Sequence, residues 1–373
     1  MSDLLKVQSF KPTTNRPEPP VPPNNGLCEI QEPAGVINTG IPTSAFVPAP
    51  DITRDFYPPS GSSRIFTPQI FPNGKEITGE RGNYTVLERV GIGGVGEVYK
   101  AKDNNTGELV AVKVINTENR FNPVVVARFL KEVEITARLD HRNIIKIIDL
   151  EKTDGEKDQG HPPYFLVMPY IEGGSLEQEL KKSHRINPID LINIAIGVSD
   201  ALDHAHRQKP SIVHRDIKPG NIMLDSNRNP IIVDFNIGAI EDTSTVNPTG
   251  QELPKTYRYM SPEQARGLGK DQLPPATDLF SLGATMYHLA TGEYPFTGDK
   301  SEIVSAKIQD PFDYPKPPHK INPEVPVELS VLIMDLLTKD YQDRENIFPD
   351  GPRSVKERLL WILKPASPAS IAA

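Results

Sequence analysis

The sequence predicts an α+β fold in which antiparallel strands come first along the folded region and helices dominate the rest. Two strand patterns, over residues 97–102 and 109–115, flank the turn-forming residues 104–107 and therefore predict an antiparallel hairpin. Apolar residues with helical spacing follow over residues 188–208. At 373 residues, the chain is long enough for two compact domains, or for one two-lobed domain with an appendage.

Charge and cysteine content narrow the classes of function. The net charge of −8 argues against a nucleic-acid-binding role, because a phosphate backbone requires a basic surface, and gives no reason to expect membrane binding. The single cysteine, Cys28, cannot form an internal disulfide and fits a reducing compartment. No signal peptide and no apolar run near the roughly 20 residues of a membrane span are found. We therefore expect a cytoplasmic protein.

Residues 1–81 form a proline-rich tail that we expect to be disordered or extended. They hold 14 of the 38 prolines and show neither helical nor alternating apolar spacing. Overlapping PxxP spacings within residues 17–23 could dock on a polyproline-binding partner, although such runs also occur in plain spacers. The stretch 65–71 is richer in apolar residues, so it could lie against the folded domain.

A glycine-rich loop follows the predicted strand 84–90. Glycines at positions 91, 93 and 96 would let backbone amides approach phosphates, because no Cβ stands in the way. A dinucleotide-binding fold would place a helix directly after this loop. The strand pattern at 97–102 excludes that alternative and favours a loop folded over phosphates within a hairpin.

Lys113 lies within the apolar strand 109–115, where burying a lone ammonium costs free energy. It therefore needs an acidic partner. The helix predicted over residues 124–139 offers two candidates, Glu132 and Glu134.

The residues of greatest chemical interest lie between positions 213 and 235. Asp216 is followed by Lys218, Asn221 and, 18 positions after it, Asp234. Two carboxylates, a lysine and an amide at this spacing are what alignment of a hydroxyl on a metal-bound triphosphate requires. A buried His-Arg-Asp cluster alone is more often structural, but the three further residues in register favour phosphoryl transfer.

This segment, HRDIKPGN followed by VDF, resembles the catalytic loop and metal-binding segment of eukaryotic-type Ser/Thr protein kinases. The form of SPEQARG at residues 261–267 is frequent among bacterial members of that family. The resemblance covers residues 82–363, roughly three quarters of the chain. It implies a two-lobed protein kinase fold, with a small antiparallel-sheet lobe that carries one main helix and a larger helical lobe.

The resemblance also implies the boundaries of the lobes. The N-lobe would comprise residues 82–168, the hinge 169–171 and the C-lobe 172–363. Residues 364–373 would form a short tail.

The same resemblance assigns roles in a transfer of the γ-phosphoryl group of ATP to Ser or Thr hydroxyls of protein substrates. Asp216 would orient the acceptor hydroxyl, and Lys218, which Ser/Thr kinases carry at this position, would steady the transferring phosphate. Asn221 and Asp234 would hold Mg²⁺.

Further residues are implied at the ATP site. Lys113 would bind the α- and β-phosphates, with Glu132 rather than Glu134 as its partner. The other residues implied at the nucleotide are Gly91, Ile92, Gly93, Gly94, Val95, Gly96, Val98, Ala111, Met168, Tyr170 and Met223.

Two positions depart from the family pattern. Asn236 replaces the glycine after Asp-Phe, and Lys255 replaces the glycine before Thr256. Asparagine is among the few residues that tolerate positive φ, so we expect activity to be retained or weakened. The alternative is a pseudokinase scaffold with weak or no turnover.

The segment between Asp234 and Glu263 is rich in hydroxyl side chains. We expect autophosphorylation at one or more of Thr243, Ser244, Thr245 and Thr249, with Arg215 available to pair with the added phosphate. Glu263 and Arg344 are expected to form a buried ion pair that is structural.

Overall fold

The structure is a computed structural model. It describes residues 70–92, 96–115, 122–152, 164–235, 255–269, 272–298, 300–308 and 314–364. The predicted α+β class is confirmed, with a strand-rich first lobe and a helical second lobe. Among these residues, no helix is long and apolar enough to cross a membrane.

A six-stranded antiparallel sheet and one helix form the first lobe. The strands are arranged in the order β1-β2-β3-β4-β6-β5. Their bounds are β1 Glu76–Thr78, β2 Asn83–Ile92, β3 Gly96–Asp103, β4 Leu109–Ile115, β5 Asp149–Lys152 and β6 Tyr164–Pro169. Helix α1, Pro123–Thr136, begins where the Asn122 side chain accepts hydrogen bonds from the next backbone amides and Pro123 occupies the first turn.

Strand β4 separates two apolar clusters because its side chains alternate between the faces of the sheet. Val110, Val112 and Val114 pack in the cluster on the outer face. Ala111 and Ile115 face the opposite way and pack in a cluster with residues of α1 and of the second lobe. The inner face is therefore the one that meets the rest of the molecule.

The structure differs from the expected tail boundary at residue 81. Strand β1 pairs with β2, and Ile77 is buried in the outer-face cluster. Phe71 is only 5% exposed, packs 5.5 Å from the Tyr99 ring, and its backbone N–H donates to the Tyr99 hydroxyl at 3.1 Å. Residues 70–81 thus belong to the first lobe, because the outer face of the sheet would otherwise remain apolar and uncovered.

The segment before β5 runs beside the second lobe, and the strand begins only at Asp149. Only β5 joins the sheet, and Ile144 instead forms an isolated bridge with Ile232 of the second lobe. The Asn143 side chain donates to the Pro230 carbonyl at 2.7 Å. These contacts with the second lobe hold the segment before β5 away from the sheet.

Nine helices and a two-stranded ribbon are described in the second lobe. The helices are α2 Leu176–Ser183, α3 Pro188–His206, α4 Pro262–Ala265, α5 Ala276–Thr291, α6 Lys300–Ile308, α7 Pro318–Ile321, α8 Val327–Leu336, α9 Tyr341–Ile347 and α10 Pro352–Leu363. Strands β7, Ile222–Leu224, and β8, Pro230–Ile232, form the ribbon, and 3₁₀ turns span Pro219–Asn221 and Lys255–Arg258.

Helix α5 is the centre of the second lobe, because nearly all of its residues are buried. The predicted helix 188–208 corresponds to α3, which packs against α5, α10 and β8. Asn187 caps the amide of Ile189, and Pro188 occupies the first turn of α3. Together α3 and α5 form a rigid base beneath the ribbon β7–β8 and the loop that precedes it.

We expect Phe71→Ala to lower the free energy of unfolding by about 3 to 5 kcal/mol, because it removes a buried ring and leaves a cavity. Leu87→Ala, at a β2 position that is 39% exposed, is the matched control and should change stability by less than about 0.5 kcal/mol. Urea unfolding of the two variants tests this. Equal stability of both would show that residues before β1 contribute nothing to the first lobe.

Candidate active site

Lys113 links the two lobes through two carboxylates. Its Nζ lies 3.1 Å from Glu132 Oε1 on α1 and 2.7 Å from Asp234 Oδ1, beyond β8 of the second lobe. Glu134 instead points outward and pairs with Lys131 at 3.0 Å on the helix surface. Of the two acids considered as partners of Lys113, the structure therefore places Glu132 in contact with it, and not Glu134.

Burial and charge shift the pKa values within this cluster. Burial raises the pKa of Glu132 to about 7; the Lys113 ammonium opposes the shift, and the neighbouring Asp234 carboxylate adds to it. Burial alone would lower the pKa of Lys113, but the Asp234 and Glu132 carboxylates more than offset this and hold the lysine protonated. Two acids around one cation leave the cluster with an excess of negative charge when both are ionised.

The catalytic-loop residues form a second polar cluster. Lys218 Nζ lies 3.0 Å from Asp216 Oδ2, and the Asn221 side-chain amide donates to the same oxygen at 2.9 Å and to the Asp216 carbonyl at 2.8 Å. All three residues are buried. Because Asn221 uses its NH₂ group for both bonds, its side-chain oxygen is left to accept or to coordinate.

Asp278 on α5 shapes the backbone that carries Asp216. Its carboxylate accepts the backbone N–H groups of His214 at 2.8 Å and Arg215 at 2.7 Å, and the His206 ring at 2.8 Å. Burial acts to raise the pKa of Asp278, but these donors outweigh it and keep the carboxyl ionised. Arg215 has φ of 70°, a costly conformation for a side chain with a Cβ, so the loop needs this support.

His214 connects the catalytic loop to the segment that carries Asp234. Its Nδ1 accepts the backbone N–H of Asp216 at 3.2 Å, so its Nε2 donates to the Val233 carbonyl at 3.1 Å. Burial lowers the pKa of His214, which keeps the ring neutral and suits this tautomer. The Phe235 ring packs 4.6 Å from it. The two polar clusters are thereby held in one cleft.

An apolar slot adjoins the Lys113 cluster. Val98 and Ala111 from the sheet, Met168 from β6 and Met223 from β7 belong to a single buried cluster, and Tyr170 packs at its edge. The side chains come from both lobes, so the slot lies at the junction between them. Its walls suit the flat face of an aromatic ring.

The glycine-rich segment is described in part. Gly91 pairs with Val98 across the β2–β3 hairpin, and Ile92 is 40% exposed at its tip. A Cβ on Gly96 would lie 2.0 Å from the Val114 carbonyl oxygen, so only glycine fits there. Gly93, Gly94 and Val95 lie outside the described residues.

The family model described as "Protein kinase domain" matches residues 84–349. The chain belongs to the protein kinase family.

Several bacterial relatives support this assignment. A probable serine/threonine-protein kinase of Clostridium perfringens is 36% identical over 76% of this chain and 39% of its own length. The serine/threonine-protein kinases PrkC of Bacillus subtilis and PknB of Mycobacterium leprae are each 33% identical, over 76% and 70% of this chain and 41% and 40% of their lengths. The chain thus spans about two fifths of the length of these relatives.

A solved structure gives the same fold. The kinase domain of Mycobacterium tuberculosis PknI matches with a TM-score of 0.56 and 22% sequence identity, covering 79% of this chain and 99% of that domain. The expected two-lobed protein kinase fold is confirmed.

The kinase fold also contains the expected pair of Glu263 and Arg344. The two side chains hydrogen bond to each other and are almost wholly buried. Thr277 donates to the same Glu263 oxygen at 3.0 Å, and Arg344 Nε donates to the Ala276 carbonyl at 3.0 Å. Removing either charge would leave the other buried and uncompensated, so the pair is structural.

Sequence reasoning missed Lys307 on α6. This side chain is fully buried, and its Nζ donates to the carbonyls of Tyr257 at 2.8 Å, Arg258 at 3.1 Å and Met260 at 2.7 Å. Lysines on helices usually face solvent, so nothing in the local pattern marks this one. The signal available was its place on the apolar side of α6, four residues after the buried Ile303.

Some predictions fall outside the described residues. Asn236, Thr243, Ser244, Thr245 and Thr249 all do so. The assigned roles of Asp216, Lys218, Asn221, Asp234, Lys113 and the slot residues remain predictions, although the structure brings these side chains together.

The raised pKa of Glu132 predicts how stability depends on pH. A carboxyl that ionises near pH 4.5 when unfolded and near pH 7 when folded binds its proton more tightly in the folded state. Without nucleotide or metal, the contribution of Glu132 to the free energy of unfolding should therefore fall, by on the order of 2 to 3 kcal/mol, as pH rises from 5 to about 8.

We expect Glu132→Gln to flatten this dependence, because the neutral side chain cannot release a proton. Glu134→Gln, at the exposed neighbouring site, should retain it. Denaturant unfolding at several pH values measures the effect. An unchanged slope in Glu132→Gln would contradict the prediction.

Proposed function

We propose that the chain is an ATP-dependent protein kinase that transfers the γ-phosphoryl group to serine or threonine hydroxyls of protein substrates. The observation that carries the proposal is the cleft in which Asp216, held by Lys218 and Asn221, is connected through His214 to the Lys113–Glu132–Asp234 cluster. The named kinase activity of the bacterial relatives supports it.

The residues present fit ATP and Mg²⁺. The apolar slot suits an adenine ring, and Lys113 offers a cation toward phosphates. The Asn221 amide oxygen and the Asp234 carboxylate are hard oxygen ligands of the kind that Mg²⁺ takes in kinases. When bound, ATP would supply the phosphoryl group, and Mg²⁺ would neutralise charge on its phosphates.

The chain's own residues would then position the acceptor hydroxyl and the phosphates and would balance the charge around them. Asp216 would orient the acceptor hydroxyl and take its proton, since its carboxylate is fixed by two donors. Lys218 would balance negative charge beside it. Lys113 would exchange its contact with Asp234 for phosphate oxygens while Glu132 continues to hold it. Most of the catalysis is placement and charge neutralisation.

The pseudokinase alternative is less well supported. Its only basis is Asn236 and Lys255, and asparagine tolerates the positive φ that the usual glycine would adopt. The expected charged residues are all present, and the relatives reported above are named as kinases. We therefore favour an active enzyme.

We further propose a domain organisation that adjusts the expected one. The kinase domain would run from residue 70 to 363, with the hinge at 169–171, and residues 1–69 would form a proline-rich extension that recruits a polyproline-binding partner. The cytoplasmic location stays a prediction.

We expect purified protein to incorporate phosphate from ATP in a magnesium-dependent manner, and Asp216→Asn to lower the rate at least about a hundredfold, because the general base is lost. The measurement is radiolabel transfer to a serine-containing acceptor. Asp350→Asn, at an exposed site, is the control and should keep the native rate. ATP binding without transfer by the native protein would favour the pseudokinase.

We expect incubation with ATP and magnesium to modify at least one of Thr243, Ser244, Thr245 and Thr249, because Arg215 can pair with a phosphate on that segment. Mass spectrometry of native protein and Asp216→Asn separates self-modification from contamination. If the native protein transfers phosphate to an acceptor while all four residues stay unmodified, the hypothesis is wrong.

A further inference from the structure

Arg258 is a cation of the large lobe that pairs with no carboxylate among the described residues. It ends the 3₁₀ turn Lys255–Arg258, and its guanidinium lies 4.3 Å from the Tyr294 ring centroid and 5.5 Å from that of Tyr257. Its Nε is buried and has no hydrogen-bond partner in this part of the chain. The residue as a whole is half-buried, so part of it remains accessible to solvent.

A second cation lies beside it. Lys307 is fully buried, and its three carbonyl acceptors include that of Arg258. The pKa of Lys307 lies well below its ordinary value, because burial and then the Arg258 charge disfavour protonation. Lys307 therefore fixes the backbone of this turn, and its own donors are satisfied. Of the donors on these two side chains, the Arg258 Nε has no acceptor among the described residues.

Two acids close to this turn already have partners among the described residues. Burial raises the pKa of Tyr294, and the negative charge of Glu177 adds to this shift. Glu177 itself pairs with Lys181 at 3.3 Å. Glu263 pairs with Arg344. A guanidinium held against two aromatic rings, with no carboxylate partner among the described residues, can still offer its planar set of N–H donors to an anion.

The turn that carries Arg258 is tied to the catalytic loop. Gln264, in the helix that follows, donates to the Arg215 carbonyl at 2.8 Å, next to Asp216. The Tyr259 hydroxyl lies 2.7 Å from His288 of α5, so the same turn is also held to the base of the lobe. An acceptor peptide whose hydroxyl reaches Asp216 would pass close to this surface.

We propose that Arg258 binds an acidic side chain of the acceptor peptide, so that this kinase prefers substrates with a carboxylate or phosphate close to the acceptor hydroxyl. The inference rests on the proposed function and names its substrate class. A bidentate contact between guanidinium and anion satisfies donors that water alone reaches poorly at a half-buried site.

The preference is opposite to that expected from overall charge. With a net charge of −8, the chain would on average attract basic peptides. A preference for acidic peptides would therefore stand out from the preference for basic peptides that the net charge predicts. Screening with basic acceptors alone would overlook it.

The first measurement is peptide binding without ATP, so that it does not depend on turnover. Fluorescently labelled serine peptides carry a single Glu at successive positions on either side of the serine, and each has a Gln counterpart. We expect at least one Glu peptide to bind native protein about tenfold more tightly than its Gln counterpart, as a charge-assisted contact would give. Raising the salt concentration should reduce that ratio.

Three variants assign the preference. Arg258→Gln removes the charge and should bring the Glu-to-Gln ratio to about one, while its affinity for the Gln peptide stays native, which also shows that it is folded. Arg258→Lys keeps the positive charge but loses the planar guanidinium that can make a bidentate contact, so it should retain part of the Glu-to-Gln ratio. Arg266→Gln removes an exposed arginine of the same segment and should retain all of it.

The proposal is wrong if native protein does not distinguish Glu from Gln peptides at any position, or if Arg258→Gln still does. Phosphate transfer to the same peptides then tests the proposed function separately. Transfer at equal rates to Glu and Gln peptides would leave the kinase standing and refute the preference.

Discussion

A single buried carboxylate, that of Asp278, determines the shape of the catalytic loop. It accepts two consecutive backbone N–H groups and the His206 ring, and this holds Arg215 at a positive φ that the loop would not adopt unaided. The next residue, Asp216, is directed into the cleft by that strained backbone. The precision of the site thus comes from α5, the most deeply buried helix, rather than from the loop itself. Rigid elements of this kind position catalytic groups better than loops do.

The Lys113 cluster plays the corresponding part between the lobes. One ammonium contacts an acid from α1 and an acid from the second lobe, so the three groups have their shortest contacts only when both lobes are in place. Burial is the main cause of the raised pKa of Glu132, so keeping this carboxylate ionised between the lobes costs free energy. The cost is offset by the apolar cores of the two lobes.

The sequence indicated what depends on local pattern or on a long motif, and missed what depends on distant contacts. The α+β class, the hairpin around residues 97–115 and helix α3 follow from spacing and turn residues. The pairing of Lys113 with Glu132 followed from the family resemblance, because spacing alone left Glu134 open. The apolar residues 65–71 indicated contact with the folded domain, but not that Phe71 packs on Tyr99. That contact and the carbonyls that hold Lys307 depend on partners 28 or more residues away, and the start of β5 depends on the opposite lobe. Arg258 escaped notice for the same reason.

The cover that Phe71 and β1 place on the sheet has a consequence for association. The family match begins at residue 84, after both. A fragment cut there would bare a continuous face of Tyr99, Val112 and Phe165, and would leave the edge of β2 without its hydrogen-bonded neighbour. An exposed apolar face beside an open strand edge is a template for pairing with another chain. Covering this face and this strand edge is a role of β1 and Phe71 that is separate from catalysis.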